Sequence, residues 1–462
     1  MGSSRAASRY VDDVAYVRGF IAELSPAWLD FTALLWGFEP ADRTGGFAWC
    51  DLGCGQGVNA AVFAATHPGG QFHGVDFLRE HIDHARGLVQ AAGAANAVFH
   101  AADFSAGVDL DLPPLDYITA HGVYSWVDDQ ARRDLRRFVD RHLKPGGRVY
   151  ISYNALPGRA PDAPFQRLMF ELGQRGSGDS AARVREAGLL ATKLLAMKTP
   201  ALTASPMAQA FLARGARHSE RYLAHELMGA NWRPLSVLEV RADMAQIGLE
   251  PAGSAALIEN FDDFVLGKAA RKLLAKVEDP DLHELVRDYL TNQCFRRDVF
   301  VRNGARLDDA KQRRRLAETT FALAVPKARA TYSVRTPAGE IKFDNHVARH
   351  MVSALAKGPR RLGELAGDGV SETDVLANAM ILAGAQLIRP VEAGVDGAKA
   401  FNRAVFDRLG GADELGLLAL DCGTAIAVPT RLLAALKDGG GGDQGIPAAW
   451  RRFLAAHGAV AA

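Results

Sequence analysis

The chain has 462 residues, 48% of them hydrophobic and 23% charged. This composition excludes a disordered or fibrous chain, and the length suits about three domains of roughly 150 residues each. Lys+Arg 54 against Asp+Glu 53 leaves a net charge of +1, without the general basic excess expected of a nucleic-acid or anionic-membrane binder.

Met1 to Tyr16 is polar and lacks the apolar segment of a secretory signal, and Ala6 stands where a myristoylation signal beginning at Gly2 needs Ser or Thr. Residues 10–40 read as an amphipathic lead-in, with Ser25-Pro26 as a helix start. From Phe47 the period changes. Short apolar runs at Phe47–Leu52, Phe72–Val75, Ala97–Ala101, Leu115–Ala120 and Arg148–Tyr153 predict buried strands. Asn59–Thr66, Glu80–Ala92 and Asp128–Leu143 predict the helices between them, the last stopped by Lys144-Pro145-Gly146-Gly147. Strand and helix alternate with short connections, the pattern of a doubly wound parallel sheet.

After Pro157 the alternation stops. Residues 160–290 read as mostly helical, clearest at Arg221–Met228, Val237–Gly248 and Pro280–Leu290. Phe295–Arg302 and Thr319–Val325 are β-rich and flank a basic stretch, Lys311–Arg315, that reads as a solvated face. Thr331–Phe343 predicts a hairpin, and residues 345–390 a module of short helices and a strand resembling a winged helix. A Gly439–Gly442 linker and a helix near Ala448–Ala456 close the chain. Leu415–Val428 is too short, and broken by Asp421, to read as a membrane span. Cys50, Cys54, Cys294 and Cys422 form neither a CxxC pair nor a zinc cluster. The expected setting is the bacterial cytoplasm, without membrane or nucleic-acid partner and without a metal.

Chemistry concentrates at Cys50-Asp51-Leu52-Gly53-Cys54-Gly55-Gln56-Gly57. A glycine loop between a first strand and first helix lets backbone approach a ligand closely. The dinucleotide spacing fails, because Val58 stands where the third glycine belongs. Asp51 disfavours a pyrophosphate by Coulomb repulsion and favours a cationic ligand. S-adenosylmethionine, a sulfonium with a protonated amine, meets that condition. Asp76, with Phe77 after it, ends the second strand, where a carboxylate can accept from both ribose hydroxyls. Asp103 ends the third strand, placed for the adenine amino group with Phe104 beside it.

The run from Asp51 to Gly57 resembles motif I of the class I S-adenosylmethionine-dependent methyltransferases. Ala120-His121-Gly122-Val123-Tyr124-Ser125-Trp126-Val127 and Tyr150-Ile151-Ser152-Tyr153-Asn154-Ala155-Leu156-Pro157-Gly158 are more specific. They resemble a bacterial subfamily in which the methyltransferase domain is joined to a methyltransferase regulatory domain. Tyr222-Leu223-Ala224-His225-Glu226, Asn231-Trp232-Arg233-Pro234-Leu235 and Phe295-Arg296-Arg297-Asp298-Val299-Phe300 extend the likeness over most of residues 10–330. Arg159 departs from the tryptophan usual after Pro-Gly. The resemblance implies an α/β, doubly wound Rossmann-like sheet, a helical insertion and a C-terminal α+β module. It also implies a homodimer that methylates lysines of outer-membrane proteins.

The expected division is a lead-in and catalytic core over 1–160, a helical regulatory region over 161–330, and a C-terminal module over 331–462. Phe295–Arg302 and Thr319–Val325 are expected to return the regulatory region to the sheet as a hairpin. The cofactor is assigned to Asp51, Gly53, Gly55, Gly57, Asp76, Phe77, Asp103, Phe104 and His121. His121, Tyr124 and Tyr153 are the catalytic candidates, and Trp126 and Asn154 the acceptor contacts. Tyr16 is a candidate lid over the methionine part of the cofactor. His225, Glu226, Asn231 and Trp232 are conspicuous but unassigned; Gly229 occupies the place of a second zinc-binding histidine. Glu259 and Asp262-Asp263 read as helix-capping carboxylates in preference to acid–base groups. The competing readings are a small-molecule or nucleic-acid methyltransferase and a cofactor-binding regulatory protein without catalysis.

Overall fold

A computed structural model describes residues 10–214, 219–367, 369–392, 397–411, 414–438 and 446–460. The first nine residues of the polar N-terminus and the Gly439–Gly442 linker lie outside them. Helix α1 (Pro26–Leu35) begins as the sequence predicts: Pro26 opens it, and the Ser25 hydroxyl accepts from Trp28 N at 3.3 Å. The residues before it differ from expectation, since 10–21 carry no helix. Their backbone is held by side chains of the following α/β unit instead. Asn59 donates to Ile21 O at 2.7 Å and accepts from Ile21 N at 3.2 Å, while Gln56 donates to Tyr16 O.

Strands β1 (Phe47–Leu52), β2 (Gly70–Asp76), β3 (Ala97–Ala101), β4 (Leu115–Ala120) and β5 (Leu143–Asn154) are parallel. Helices α2 (Val58–Thr66), α3 (Arg79–Ala91), α4 (Phe104–Gly107) and α5 (Asp129–His142) connect them. Every residue of β1 and β4 is buried, the reason both read as unbroken apolar runs. Lys144-Pro145-Gly146-Gly147 belongs to β5. Pairing with β4 jumps from Leu115–Leu143 to Tyr117–Arg148, so these residues form a bulge.

Between β5 and the next strand lie α6 (Ala163–Gly173), α7 (Ser180–Ala196), α8 (Pro200–Thr203), α9 (Pro206–Arg214), α10 (Glu220–Leu227) and α11 (Val237–Ala245). The sheet then closes with β6 (Leu249–Ser254) and β7 (Phe295–Arg302) in the order β3-β2-β1-β4-β5-β7-β6. β7 runs antiparallel to both its neighbours. The expected return strand Phe295–Arg302 is therefore in the sheet, but Thr319–Val325 is not. Its counterpart β8 (Thr320–Leu323) pairs with Arg360–Arg361 and Ile388–Val391 in a separate three-stranded sheet. The true edge strand, β6, carries Pro251 and Gly253, which mask it in sequence but are tolerated at an edge.

The hairpin Ser333–Thr336/Gly339–Lys342 forms as predicted, and residues 417–427 make a second hairpin. Lys311–Arg315 lies on the helix Asp309–Glu318, which buries no residue. Glu259 accepts from Ser254 at 3.0 Å, whereas Asp262 and Asp263 pair with Arg287 and Arg271 instead of capping. The C-terminal module packs directly on the sheet layers. Arg408 donates to Gly87 O at 3.0 Å, and β8, which pairs with the module's Ile388–Val391, meets Phe31 edge to face through Phe321 at 5.1 Å. Among the described residues no helix is long and apolar enough to cross a membrane.

Candidate active site

The C-terminal ends of the parallel strands open into a cavity of about 710 Å³, a volume ordinary for a cofactor and acceptor site. The loop after β1 forms one wall. A Cβ on Gly53 would come within 2.6 Å of Val123 Cγ2, and the glycine has φ +76°. Only glycine meets both conditions. Asp76, at the end of β2, steadies this loop. One carboxylate oxygen accepts from Gly55 N at 2.9 Å; the other accepts from Leu78 N at 2.9 Å and from His81 Nδ1 at 3.2 Å. His81 Nε2 accepts from Tyr16 N at 3.0 Å, so the neutral ring carries its proton on Nδ1. The N-terminal segment is thus tied to the acid that ends β2.

Of the predicted residues, Gly53, Gly55, Asp76, Phe77, Asp103, Phe104, His121, Trp126 and Asn154 line this cavity. Asp103 also caps α4, its carboxylate accepting from Ala106 N at 2.8 Å. His121 holds Tyr150 Oη at 2.8 Å and Ser152 Oγ at 3.3 Å through Nδ1. Burial and the nearby Arg297 push its pKa down to about 4. Asn154 is buried, and its Nδ2 has no hydrogen-bond partner among the described residues. Tyr16, the lid candidate, lines the cavity as well.

Four predicted residues are not on the lining. Asp51 lies beneath the loop, accepting from Thr119 Oγ1 at 2.8 Å; burial pushes its pKa up to about 7. Gly57 starts α2, where a Cβ would come within 2.4 Å of Ala85 and 2.9 Å of Phe99. Tyr124 donates to Asp243 at 2.6 Å and Tyr153 to Asp298 at 2.7 Å. Both hydroxyls are committed to carboxylates on the regulatory side, and burial raises both phenols further. The catalytic expectation for these tyrosines is therefore corrected: each anchors a flanking element. For Tyr153 the reason is that side chains alternate along a strand, so its neighbour Asn154 takes the lining place; Tyr124 lies in the loop past β4, outside the strand.

The remaining wall was not assigned in sequence. Tyr222, His225 and Glu226 on α10 line the cavity with Tyr10, Arg159 and Asn231. The spacing i, i+3, i+4 puts the α10 trio on one helix face, a signal that the sequence did carry. His225 donates from Nε2 to Val14 O at 2.7 Å and packs edge-on against Tyr16 at 5.0 Å. Burial pushes the Glu226 carboxyl up to about 7, opposed by Arg159.

The site fits S-adenosylmethionine by its own chemistry. Gly55 leaves open space at the loop, Asp76 offers a fixed carboxylate, and Asp103 and Phe104 add an acid and an aromatic ring to the lining. Asn154 Nδ2 is a buried donor with nothing yet to donate to. A seven-stranded sheet with a reversed seventh strand, a glycine loop after β1 and an acid ending β2 define a class I S-adenosylmethionine-dependent methyltransferase.

Residues 50–149 match the family described as a methyltransferase domain, and residues 219–302 match the predicted methyltransferase regulatory domain. A Synechocystis protein, itself uncharacterized, is 34% identical over 430 residues, covering 91% of this chain and 85% of that protein. A Rickettsia prowazekii protein is 27% identical over 305 residues, covering 64% and 53%. The structure of PKMT2 from Rickettsia typhi in complex with AdoHcy superposes with a TM-score of 0.68 at 19% identity. That match covers 92% of this chain and 88% of the other, and shows the same fold. The chain belongs to the S-adenosylmethionine-dependent methyltransferases that carry a methyltransferase regulatory domain.

Proposed function

We propose that this methyltransferase acts on lysine side chains of a protein acceptor. The observation that carries the reading is the wall facing the strand ends: Tyr10, Tyr16, Tyr222 and Trp126 surround a region that also holds Glu226. Aromatic faces with a carboxylate suit an alkylammonium, which pairs with both. The resemblance to bacterial protein-lysine methyltransferases supports the same acceptor class. It also supports a homodimer working in the cytoplasm. The division into a core over 1–160, a regulatory region over 161–330 and a C-terminal module over 331–462 belongs to the same reading.

When bound, S-adenosylmethionine supplies an electrophilic methyl group on a sulfonium. In this reading Asp76 holds the ribose, Asp103 and Phe104 the adenine, and the Gly53–Gly55 backbone the methionine part. Asn154 donates to a cofactor or acceptor oxygen. His121 is neutral at physiological pH and shapes the wall at the end of β4. Tyr10 and Tyr16 cover the site, so that water is excluded and the acceptor is aligned. No covalent intermediate on the protein is required.

The test is incubation of the enzyme with radiolabelled S-adenosylmethionine and bacterial lysate, followed by acid hydrolysis of the protein fraction. Label recovered as Nε-methyl-lysine is the expected result. Label confined to nucleic acid or to small molecules overturns the lysine reading.

A further inference from the structure

Glu226 is the one carboxylate that α10 presents to the cavity. Among the described residues it has no hydrogen-bond or ion-pair partner. Glu226 is part-buried and its carboxylate opens into the cavity beside the phenols of that wall, a placement from which it can take a proton from a bound ligand. Arg159, from the loop after β5, acts on it only through space. The N-terminal segment faces it with the phenols of Tyr10 and Tyr16, and α10 itself adds Tyr222 and His225. Asp13, Asp76 and His81 stand beyond His225. α6 and α7, which pack against α10, contribute no side chain to the lining.

We infer that Glu226 is the proton acceptor for the acceptor ammonium, which Tyr10, Tyr16 and Tyr222 hold by their ring faces. This rests on the lysine reading and deepens it. A lysine ammonium has no lone pair and cannot accept a methyl group until it loses a proton. One N–H bond breaks and one O–H bond forms on Glu226, leaving a neutral amine beside a neutral carboxylic acid. The freed nitrogen pair then forms the N–C bond as the C–S bond breaks with its electrons remaining on sulfur. Glu226 returns its proton to water before the next turnover. A pKa raised to about 7 matches this task, because a base works best when it titrates near the working pH. His121, at about 4, is a much weaker base, and its Nδ1 is already engaged.

The test compares full-length wild type with Glu226→Gln and Glu226→Asp, using bacterial protein as acceptor and methyl-lysine as readout. The wild-type rate should rise with pH through an apparent pKa near 7. Glu226→Gln should lose about 10²–10⁴-fold in rate, the usual contribution of a general base, together with that inflection. It should still bind S-adenosylmethionine within about threefold of wild type by calorimetry. A second readout needs no turnover. A carboxyl whose folded pKa is raised above its unfolded value makes the fold less stable as pH climbs between the two. The drop in Tm from pH 5 to pH 8 should therefore be smaller in Glu226→Gln than in wild type.

A glutamine variant with wild-type rate and pH profile overturns the inference while leaving the lysine reading standing. So does one that folds but loses cofactor affinity, since Glu226 would then serve the cofactor's amine. If the glutamine variant does not fold, Glu226→Asp decides: a displaced inflection supports the base, an unmoved one overturns it. A wild type that forms no methyl-lysine removes the lysine reading and this inference with it.

Discussion

Asp76 and Asp51 are both acids at strand ends, yet the fold gives them different work. Asp76 reaches the cavity and accepts three donors, so Asp76→Ala frees the loop it steadies and, in the proposed reading, removes the contact to the ribose. Hydrogen bonds to a charged group contribute about 1.5–3 kcal/mol. Calorimetry should accordingly show S-adenosylmethionine affinity falling roughly 10- to 100-fold. In the proposed reading Asp51, beneath the loop, acts on the cofactor through its field. Its carboxyl titrates at about 7, being ionised above that pH and neutral below it. Affinity for cationic S-adenosylmethionine should fall roughly tenfold from pH 8 to pH 5.5, by the Coulomb energy of a pair several ångströms apart. Affinity for the neutral product S-adenosylhomocysteine should fall less. Equal pH dependence for the two ligands, or an unchanged dependence in Asp51→Asn, would remove this role.

At the scale of elements, Tyr124 and Tyr153 tie strand ends to the regulatory region through Asp243 and Asp298. Their phenylalanine variants should cost about 1–3 kcal/mol of stability each, since each loses one hydrogen bond to a carboxylate, while Arg136 and Arg296 still pair with Asp243 and Asp298. Methyl transfer by the folded variants should stay within about threefold of wild type; a loss of a hundredfold would restore them to the catalytic set. Gly57→Ala should destabilise by about 2–4 kcal/mol, read as a lowered denaturation midpoint. The left-handed backbone and the contacts with Ala85 and Phe99 both penalise a methyl group there. The core strands were legible because a strand covered on both faces is an apolar run bounded by turn residues. β6 was not, since Pro251 and Gly253 are read as breakers, and only its place at the sheet edge makes them harmless. Thr320–Leu323 had the right composition for a sheet strand but found partners in the C-terminal module instead.

Over the whole molecule, the three expected regions share one continuous interior. A single cluster of buried residues runs from Trp28 and Trp49 through Phe321 and Met351 to Trp450 and Leu454. Trp28 also donates to Ala255 O at 2.8 Å, joining α1 to the edge of the sheet. A chain ending at residue 330 would expose that interior, and each large apolar side chain left open loses about 1.5–3 kcal/mol. The truncated protein should be insoluble or should melt well below the full chain. A truncation that keeps the full-length Tm would show that the module is an independent attachment.

The order of glycines and acids by itself determined the chemistry, because motif, strand end and cavity lining lie within a few residues of one another: Gly53 and Gly55 after β1, Asp76 at the end of β2, and Asp103 with Phe104 after β3. It also determined the five parallel strands and the helices between them, whose periodicity is local. Tertiary structure decided which side chains meet the cofactor cavity. It turned Tyr124 and Tyr153 away and brought Tyr10 and Glu226, far apart along the chain, to one wall. Those contacts depend on how α10 and the N-terminal segment pack over the strand ends, and local sequence has no periodicity that encodes such a meeting.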